Sequence, residues 1–268
     1  MIIHTLLADP SGNITQFVLD PVPVEQRHAL NQKLLAQDPA VEQAGCLSIV
    51  DGQPKVEMMG GEFCGNATRS AGAYALHVLG EKEGDFQVTC SGCDKPLAVH
   101  AKKVRENSYQ ASVELPPPIS MSRLRLSYER DSVECQEVVL PGITHYVYFT
   151  LNVDEIDQDE FFYSLQREIS RGPEPEAYGL MLVEISSLKV IPIVYVTATG
   201  TLYHENSCGS GSAAVAAALA QRQKRSVGAS LLEPGGRIDI EAYWKDDQIT
   251  GMAIGGPVKL GEVKTLDV

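Results

Sequence analysis

Residues 60–70 have the sequence "GGEFCGNATRS", and residues 205–212 have the sequence "ENSCGSGS". In each stretch a cysteine, Cys64 or Cys208, is followed by glycine, a small polar residue and an alanine-rich segment. Such a run of small residues is typical of a helix enclosed by other elements, with the cysteine at its N-terminal end. Because the pattern occurs once in each half of the chain, it predicts two related domains whose cysteines act together.

The rest of the chain is rich in predicted strands. Short runs with many β-branched residues, such as "FQVTC", "QASVEL" and "VIPIVYVT", recur between turn residues. Helical patterns occur in only four stretches, residues 24–35, 64–79, 157–169 and 208–223. This balance predicts an α+β fold in which strand-rich sheets wrap around a few helices.

The clearest linker is "ELPPPIS", residues 114–120, because consecutive prolines cannot continue a helix or a central strand. We therefore predict an N-terminal domain, residues 1–118, and a C-terminal domain, residues 119–259. The two are expected to be pseudo-symmetric, each a strand-rich sheet wrapped around a central helix. A last strand, roughly residues 260–268, is expected to return to the N-terminal domain.

Composition narrows the class of partner. The 268 residues include 35 Asp and Glu against 22 Lys and Arg, and the net charge is -13. This balance argues against nucleic acid or an anionic membrane surface and favours a small molecule. The sequence shows no secretion signal and no apolar run long enough to span a membrane, so we expect a cytoplasmic protein with reduced thiols.

A cysteine at a helix N-terminus has a chemical use. The free N–H groups there, at Gly65 and Asn66 and at Gly209 and Ser210, can bind a carboxylate, and the helix dipole is expected to lower the pKa of the thiol toward neutrality. If two such helix ends face one substrate, a thiolate can remove the α-proton while the other thiol protonates the opposite face. The sequence thus predicts inversion at an α-carbon without pyridoxal phosphate.

Other interpretations of the cysteines stay open at this point. A cysteine hydrolase would use one nucleophile with a histidine base, for which His145 and Asn206 are available, but it leaves the second Cys-Gly segment unexplained. A carboxylate-binding protein without catalysis would use the same glycines. Both cysteines could also serve packing alone, although two matching copies argue against that.

These residues resemble a known family, the cofactor-independent two-cysteine racemases and epimerases with the diaminopimelate epimerase fold. "EFCGNATRS" and "NSCGSGSAA" resemble its two cysteine signatures, "SGN" at residues 11–13 its N-terminal Gly-Asn, and "GITHYV" at 142–147 its Gly-Asn-Pro-His segment. Diaminopimelate epimerase has an arginine shortly before its second cysteine for a distal carboxylate. No arginine precedes Cys208 closely here, so that substrate is the alternative and not the first choice.

The likeness is closer to the histidine racemases that serve synthesis of opine-type metallophores such as staphylopine. It places Glu42 near the side-chain pocket, where a carboxylate can hydrogen-bond an imidazole; as a lone Glu it is equally compatible with a solvated loop. Glu205 and Asn206 would hold the α-ammonium group or cap the helix. The resemblance thus implies Cys64 and Cys208 as the acid and base, and a substrate site that comprises Asn13, Glu42, Gly65, Asn66, His145, Glu205, Asn206, Gly209 and Ser210.

The resemblance also implies the rest of the biochemistry. It indicates an amino-acid substrate, no cofactor, no metal, and no nucleic-acid or membrane partner, and it leaves a homodimer open. No nucleotide-binding glycine pattern is present in the sequence. Cys90 and Cys93 have a C-x-x-C spacing without further zinc ligands nearby, which favours structural roles.

Overall fold

The computed structural model describes residues 1–197 and 199–268. These fall into two compact units, one formed by Met1–Leu115 and Ala253–Val268, the other by Pro116–Met252. The first boundary lies inside the predicted proline linker. The second lies earlier than the predicted residue 259, because a single strand, Gln248–Leu260, runs through it without a break.

The first unit is built on a barrel-like sheet. Its strands are β1 (Ile2–Asp9), β2 (Thr15–Val18), β3 (Gln43–Val50), β4 (Gln53–Met58), β5 (Glu83–Cys90), β6 (Leu97–Arg105), β7 (Ser108–Leu115), the part of β16 (Gln248–Leu260) from Ala253 onward, and β17 (Lys264–Asp267). The order is β16-β7-β6-β5-β4-β3-β2-β1-β17, and β16 also pairs with β1, so the sheet closes on itself.

Two helices complete this unit. Helix α1 (Val24–Gln37) packs on β3, and its Leu30 and Leu34 join an apolar cluster with Ile3 and Val18. Helix α2 (Gly65–Leu79) contacts β1 and β3 to β7 and is buried along most of its length. It ends at Gly80, whose φ of 71° is the left-handed conformation that favours glycine at a helix C-cap.

The second unit contains a six-stranded sheet and a hairpin. The sheet strands are β8 (Ser120–Tyr128), β9 (Asp131–Leu140), β10 (Ile143–Thr150), β11 (Ala177–Glu184), β12 (Val190–Val196) and β13 (Thr201–His204), in the order β13-β12-β11-β10-β9-β8. Only β10 and β11 are parallel within this sheet, and helix α3 (Gln158–Ile169) connects them. Strands β14 (Val227–Glu233) and β15 (Gly236–Lys245) form the hairpin.

Helix α4 (Gly209–Gln223) packs against β9, β10, β11, β14 and β15 of the second unit. All six of its alanines are without exposed surface, because small side chains let five strands approach one helix closely. The predicted α+β class is confirmed, and all four predicted helices are present with bounds within a few residues. The pseudo-symmetry of the two domains stays a prediction.

Candidate active site

Cys64 is the N-cap residue of α2. Its backbone is extended (φ −133°, ψ 110°), and its Sγ accepts a 3.3 Å hydrogen bond from the N–H of Ala67. A second donor, Nε2 of Gln43 at the start of β3, lies 3.1 Å from the same sulfur. N–H groups directed at a sulfur stabilise its anionic form, which is the form a base requires.

A polar network surrounds this cysteine. Oδ1 of Asn13 accepts hydrogen bonds from Gln43 Nε2 (2.7 Å) and Asn66 Nδ2 (3.3 Å). Nδ2 of Asn13 donates a 2.6 Å hydrogen bond to Oε2 of Glu42. The structure therefore brings Asn13, Glu42 and Asn66, all predicted from the sequence, into one network with Cys64.

A fully buried arginine, Arg69, holds one member of that network, Asn66, in place. Nε of Arg69 donates to Oδ1 of Asn66 at 3.1 Å, and its two Nη groups donate to the carbonyl oxygens of Pro10, Gly256 and Pro257, each at 3.1 Å. A guanidinium group carries five N–H donors, so these four bonds satisfy most of its capacity in a site without solvent. Arg69 thus fixes the orientation of Asn66.

Gly65 allows the backbone at this helix start to approach β16. A Cβ at this position would lie 2.8 Å from Cδ1 of Ile254, closer than carbon atoms pack. The glycine after Cys64 therefore lets Ile254 pack in place within the first unit, since any side chain at this position would displace the end of Ile254.

Cys208 is the N-cap residue of α4 and has the same local geometry (φ −116°, ψ 103°). Its Sγ accepts a 3.4 Å hydrogen bond from the N–H of Gly211 and lies 3.7 Å from Oγ of Ser210. Its own N–H donates to Oε2 of Glu233 at 2.8 Å, and Oγ of Ser212 donates to Oε1 of the same carboxylate at 2.6 Å. A buried carboxylate thus lies at the first turn of α4.

The expected lowering of the thiol pKa is wrong for Cys208. Burial raises the pKa of Cys208 well above its ordinary value, and the negative charges of Glu205 and Glu233 raise it further. The hydrogen bond from Gly211 acts in the opposite direction but is the weaker effect. Burial of the sulfur and these two carboxylates therefore outweigh the positive end of the α4 dipole.

His145 lies in the core of the second unit with no exposed surface. Its Nε2 is 2.8 Å from Oγ of Ser210, and a Cβ on Gly179 of β11 would lie only 2.4 Å from its Nδ1. Burial lowers the pKa of His145 to about 3, so the imidazole is neutral at ordinary pH. His145 supports Ser210, while direct contact between His145 and a substrate stays a prediction.

Glu205 and Asn206 precede Cys208 in the turn that enters α4. Glu205 is half-buried and hydrogen-bonds the Cys208 side chain, whereas Asn206 is exposed. Neither is the N-cap residue, a role that Cys208 itself fills. Both residues, with Glu233, line a cavity of about 630 Å³ within the second unit. The neighbouring His204 pairs with Asp159 at 3.2 Å.

The sequence did not indicate three residues that the structure places at these cysteines: Gln43, Arg69 and Glu233. Glu233 carries a recognisable signal, because it follows Leu231 on the inward face of β14 while Leu232 points outward. A charged residue on the buried face of a strand is rarely placed there without a partner. Gln43 and Arg69 have no comparable signal, since polar residues are common at strand starts and on helices.

The described residues, 1–197 and 199–268, contain neither a cluster of metal ligands nor a helix that could span a membrane. Within these residues no three His, Cys, Asp or Glu side chains are grouped to hold a metal ion. In the same part of the chain, every helix is too short or too polar to cross a membrane. Cys90 and Cys93 hydrogen-bond each other, and burial raises the pKa of Cys90 to about 12.

The sequence of this chain is similar to those of several known proteins. A family model described as "Histidine racemase CntK N-terminal domain" matches residues 3–263. A histidine racemase of Fusobacterium nucleatum is 27% identical over 267 residues, which cover 97% of this chain and 94% of the relative. A histidine racemase of Staphylococcus aureus is 28% identical over 242 residues, which cover 86% of this chain and 85% of the relative.

Solved structures share the fold at low sequence identity. A Bacillus anthracis phenazine biosynthesis protein of the PhzF family has a TM-score of 0.71 at 12% identity, with both chains covered completely. A hydroxyproline epimerase from Agrobacterium vitis has a TM-score of 0.67 at 12% identity and covers 99% of this chain and 92% of its own. At this level of identity the likeness establishes the architecture.

Proposed function

We propose that this chain, which belongs to the histidine racemase family whose model it matches, interconverts L- and D-histidine without a cofactor. One observation carries the proposal beyond family membership. Each of two cysteines caps a buried, small-residue helix, with its sulfur bonded to a backbone N–H of the first turn. A cysteine hydrolase needs only one such sulfur and a histidine beside it, and His145 hydrogen-bonds Ser210 instead.

The proposed reaction uses both sulfurs. The thiolate of one cysteine takes the α-proton, so that the Cα–H bond breaks and an S–H bond forms. The thiol of the other cysteine then gives its proton to the opposite face of Cα, and its sulfur becomes the thiolate. The intervening carbanion is stabilised by N–H groups directed at the substrate carboxylate, which accepts the developing charge.

Backbone groups at the two helix starts are proposed to bind that carboxylate. They are the N–H groups of Gly65 and Asn66 on α2 and of Gly209 and Ser210 on α4, which lie at the positive ends of the helix dipoles. Glu205 and Asn206 are proposed to hold the α-ammonium group, since Glu205 brings a negative charge next to Cys208.

Glu42 is proposed to select histidine. Its carboxylate accepts a 2.6 Å hydrogen bond from Asn13, and a carboxylate can accept several such bonds, so this one is compatible with a bond from an imidazole N–H. The two units are proposed to be pseudo-symmetric halves, each with a central helix that supplies one cysteine. Supply of D-histidine to an opine-type metallophore, in the cytoplasm, is the proposed use of the reaction.

The test is a substrate panel in D₂O. L-histidine, other L-amino acids and diaminopimelate are incubated with the protein, and circular dichroism and deuterium at Cα are followed. We expect histidine to lose its optical activity while it gains deuterium. Cys64→Ser and Cys208→Ser should each lower the rate by at least ~100-fold, the lower bound for loss of an acid or base.

Cys46→Ala is the matched control, because Cys46 on β3 is a half-buried cysteine outside the two helix starts. It should retain racemisation. If both single serine variants racemise histidine at the wild-type rate, the proposal is wrong. A covalent acyl-enzyme on one cysteine would favour a hydrolase instead, and preference for diaminopimelate would favour the epimerase.

A further inference from the structure

We infer that Glu233 holds Cys208 as the thiol in the free protein, so that Cys64 is the resting thiolate and the base of the first half-reaction. The inference rests on the proposed function, because it assigns roles to its two sulfurs. It concerns a residue that none of the sequence motifs includes.

Glu233 is a buried carboxylate at the first turn of α4. The residue is 7% exposed, and each carboxylate oxygen has its own donor, the N–H of Cys208 at 2.8 Å and the hydroxyl of Ser212 at 2.6 Å. A carboxylate that accepts two such bonds is held in its ionised form. Its negative charge therefore lies at the first turn of α4, where it offsets the helix dipole that would otherwise stabilise a thiolate.

The N–H of Gly211 favours the thiolate but is the weaker effect, whereas the other titratable groups near Cys208 favour the thiol or bring no charge. Glu205, in the turn before the helix, adds a second carboxylate that hydrogen-bonds the Cys208 side chain. His145 reaches the site through Ser210, but the imidazole is neutral and brings no positive charge. A thiolate at Cys208 would be buried between two carboxylates, which is costly in a medium of low dielectric constant.

Cys64 has a contrasting environment. Its sulfur accepts N–H groups from Gln43 at 3.1 Å and Ala67 at 3.3 Å, and both bonds favour the anion. As a thiol it can donate to Oδ1 of Asn13, but this contact is long, at 3.9 Å. The titratable groups near it include Glu42, Arg69 and Cys90. Glu42 is held by Asn13, Arg69 reaches the network through Asn66, and Cys90 on β5 interacts weakly with the Cys64 sulfur.

The asymmetry has a consequence for the cycle. After one inversion of the substrate, Cys64 carries the proton taken from Cα, and Cys208 has given its own proton to the opposite face of Cα. The Cys208 thiolate then lies beside Glu233, and repulsion favours its return to the thiol by taking a proton from water. Cys64 releases its proton to water in the same reset, so the protons balance.

The test measures the two thiols separately. The protein is treated with iodoacetamide at a series of pH values, and mass spectrometry follows alkylation at each cysteine. Only the thiolate reacts, so the pH of half-maximal rate at each cysteine reports the formation of its thiolate. We expect Cys64 to reach half-maximal rate at a lower pH than Cys208.

Glu233→Gln keeps the shape and removes the charge. We expect it to lower the half-maximal pH of Cys208 by about one unit or more, the usual effect of removing one nearby like charge, and to leave Cys64 unchanged. Glu241→Gln on β15 makes the same charge change at an exposed position and should move neither cysteine. Gln43→Glu, which replaces an N–H donor with an oxygen, should raise the half-maximal pH of Cys64.

Two results would overturn the inference. One is alkylation of wild-type Cys208 at a lower pH than Cys64, and the other is an unchanged Cys208 profile in Glu233→Gln. If circular dichroism shows that Glu233→Gln does not fold, two other measurements test the inference. They are the order in which the two wild-type cysteines become reactive as the pH rises, and the alkylation profile of Cys64 in Gln43→Glu. Alkylation requires no turnover, so failure of histidine racemisation would reject the proposed function while leaving this result standing.

Discussion

Nδ2 of Asn13 donates a 2.6 Å hydrogen bond to Oε2 of Glu42, and Oδ1 of the same Asn13 accepts from the Gln43 amide that also contacts Cys64. A single asparagine therefore links the proposed side-chain selector to the proposed base. The link also fixes the orientation of the Asn13 amide, because its nitrogen donates to a carboxylate and its oxygen accepts from an amide N–H. A change at Glu42 should then affect substrate choice first and chemistry second.

We predict that Glu42→Gln weakens the use of histidine. The loss of one charge-assisted hydrogen bond to the imidazole is expected to cost about 1.5–3 kcal/mol, which is roughly 10- to 100-fold in kcat/KM. Racemisation kinetics by circular dichroism with histidine and with alanine measure this effect. The kcat/KM for histidine should fall relative to that for alanine, since the alanine side chain makes no such bond.

The control for that change is Glu25→Gln on the exposed start of α1, which removes the same charge away from the network. It should leave both substrates unaffected. Equal losses for histidine and alanine in Glu42→Gln would show that Glu42 acts on the network as a whole and does not select the side chain.

We predict that Arg69→Met strongly destabilises the protein. The substitution removes the arginine donors of three carbonyl oxygens, those of Pro10 and Gly256 at buried positions and that of Pro257 at a partly buried one. Breaking a buried charged network in this way costs about 3–5 kcal/mol. Urea denaturation followed by circular dichroism measures the free energy of unfolding. Arg130→Met, at an exposed turn, should change it by less than about 0.5 kcal/mol.

We predict that Gly179→Ala impairs the second half of the site through His145. The new Cβ would lie 2.4 Å from Nδ1 and 2.8 Å from Cε1 of that ring, so the imidazole must move away from Ser210. Overpacking of this kind costs about 1–3 kcal/mol. Gly228→Ala, where nothing lies within 4 Å of the new Cβ, is the matched control.

Both glycine variants are compared by urea midpoint and by racemisation rate. Gly179→Ala should lower the urea midpoint and the racemisation rate, while Gly228→Ala should leave both quantities unchanged. A normal racemisation rate in a destabilised Gly179→Ala protein would mean that the His145–Ser210 contact serves the fold and not the site.

The sequence predicted the parts of this protein that depend on local patterns. The helices after Cys64 and Cys208 and the proline linker follow from residue types within one or two turns. The environment of each sulfur did not follow, because it depends on residues distant in sequence. Gln43 reaches Cys64 from β3, and Glu233 reaches Cys208 from β14. The pKa of Cys208 is therefore raised and not lowered, because burial of the sulfur and the charges of Glu205 and Glu233 outweigh the local helix.

We predict that the free energy of unfolding falls as the pH rises above about 8.5, the ordinary pKa of a thiol. Burial raises the pKa of Cys135 to about 12, so between these values the unfolded chain loses a proton that the native protein keeps. The native state then binds more protons than the unfolded state, and stability decreases by about 1.4 kcal/mol per pH unit for such a group. Urea denaturation at pH 8 to 10.5 measures the slope. Cys135→Ala should be less stable at pH 8 but should show a shallower decline, and an unchanged slope would mean that Cys135 already ionises in the native protein.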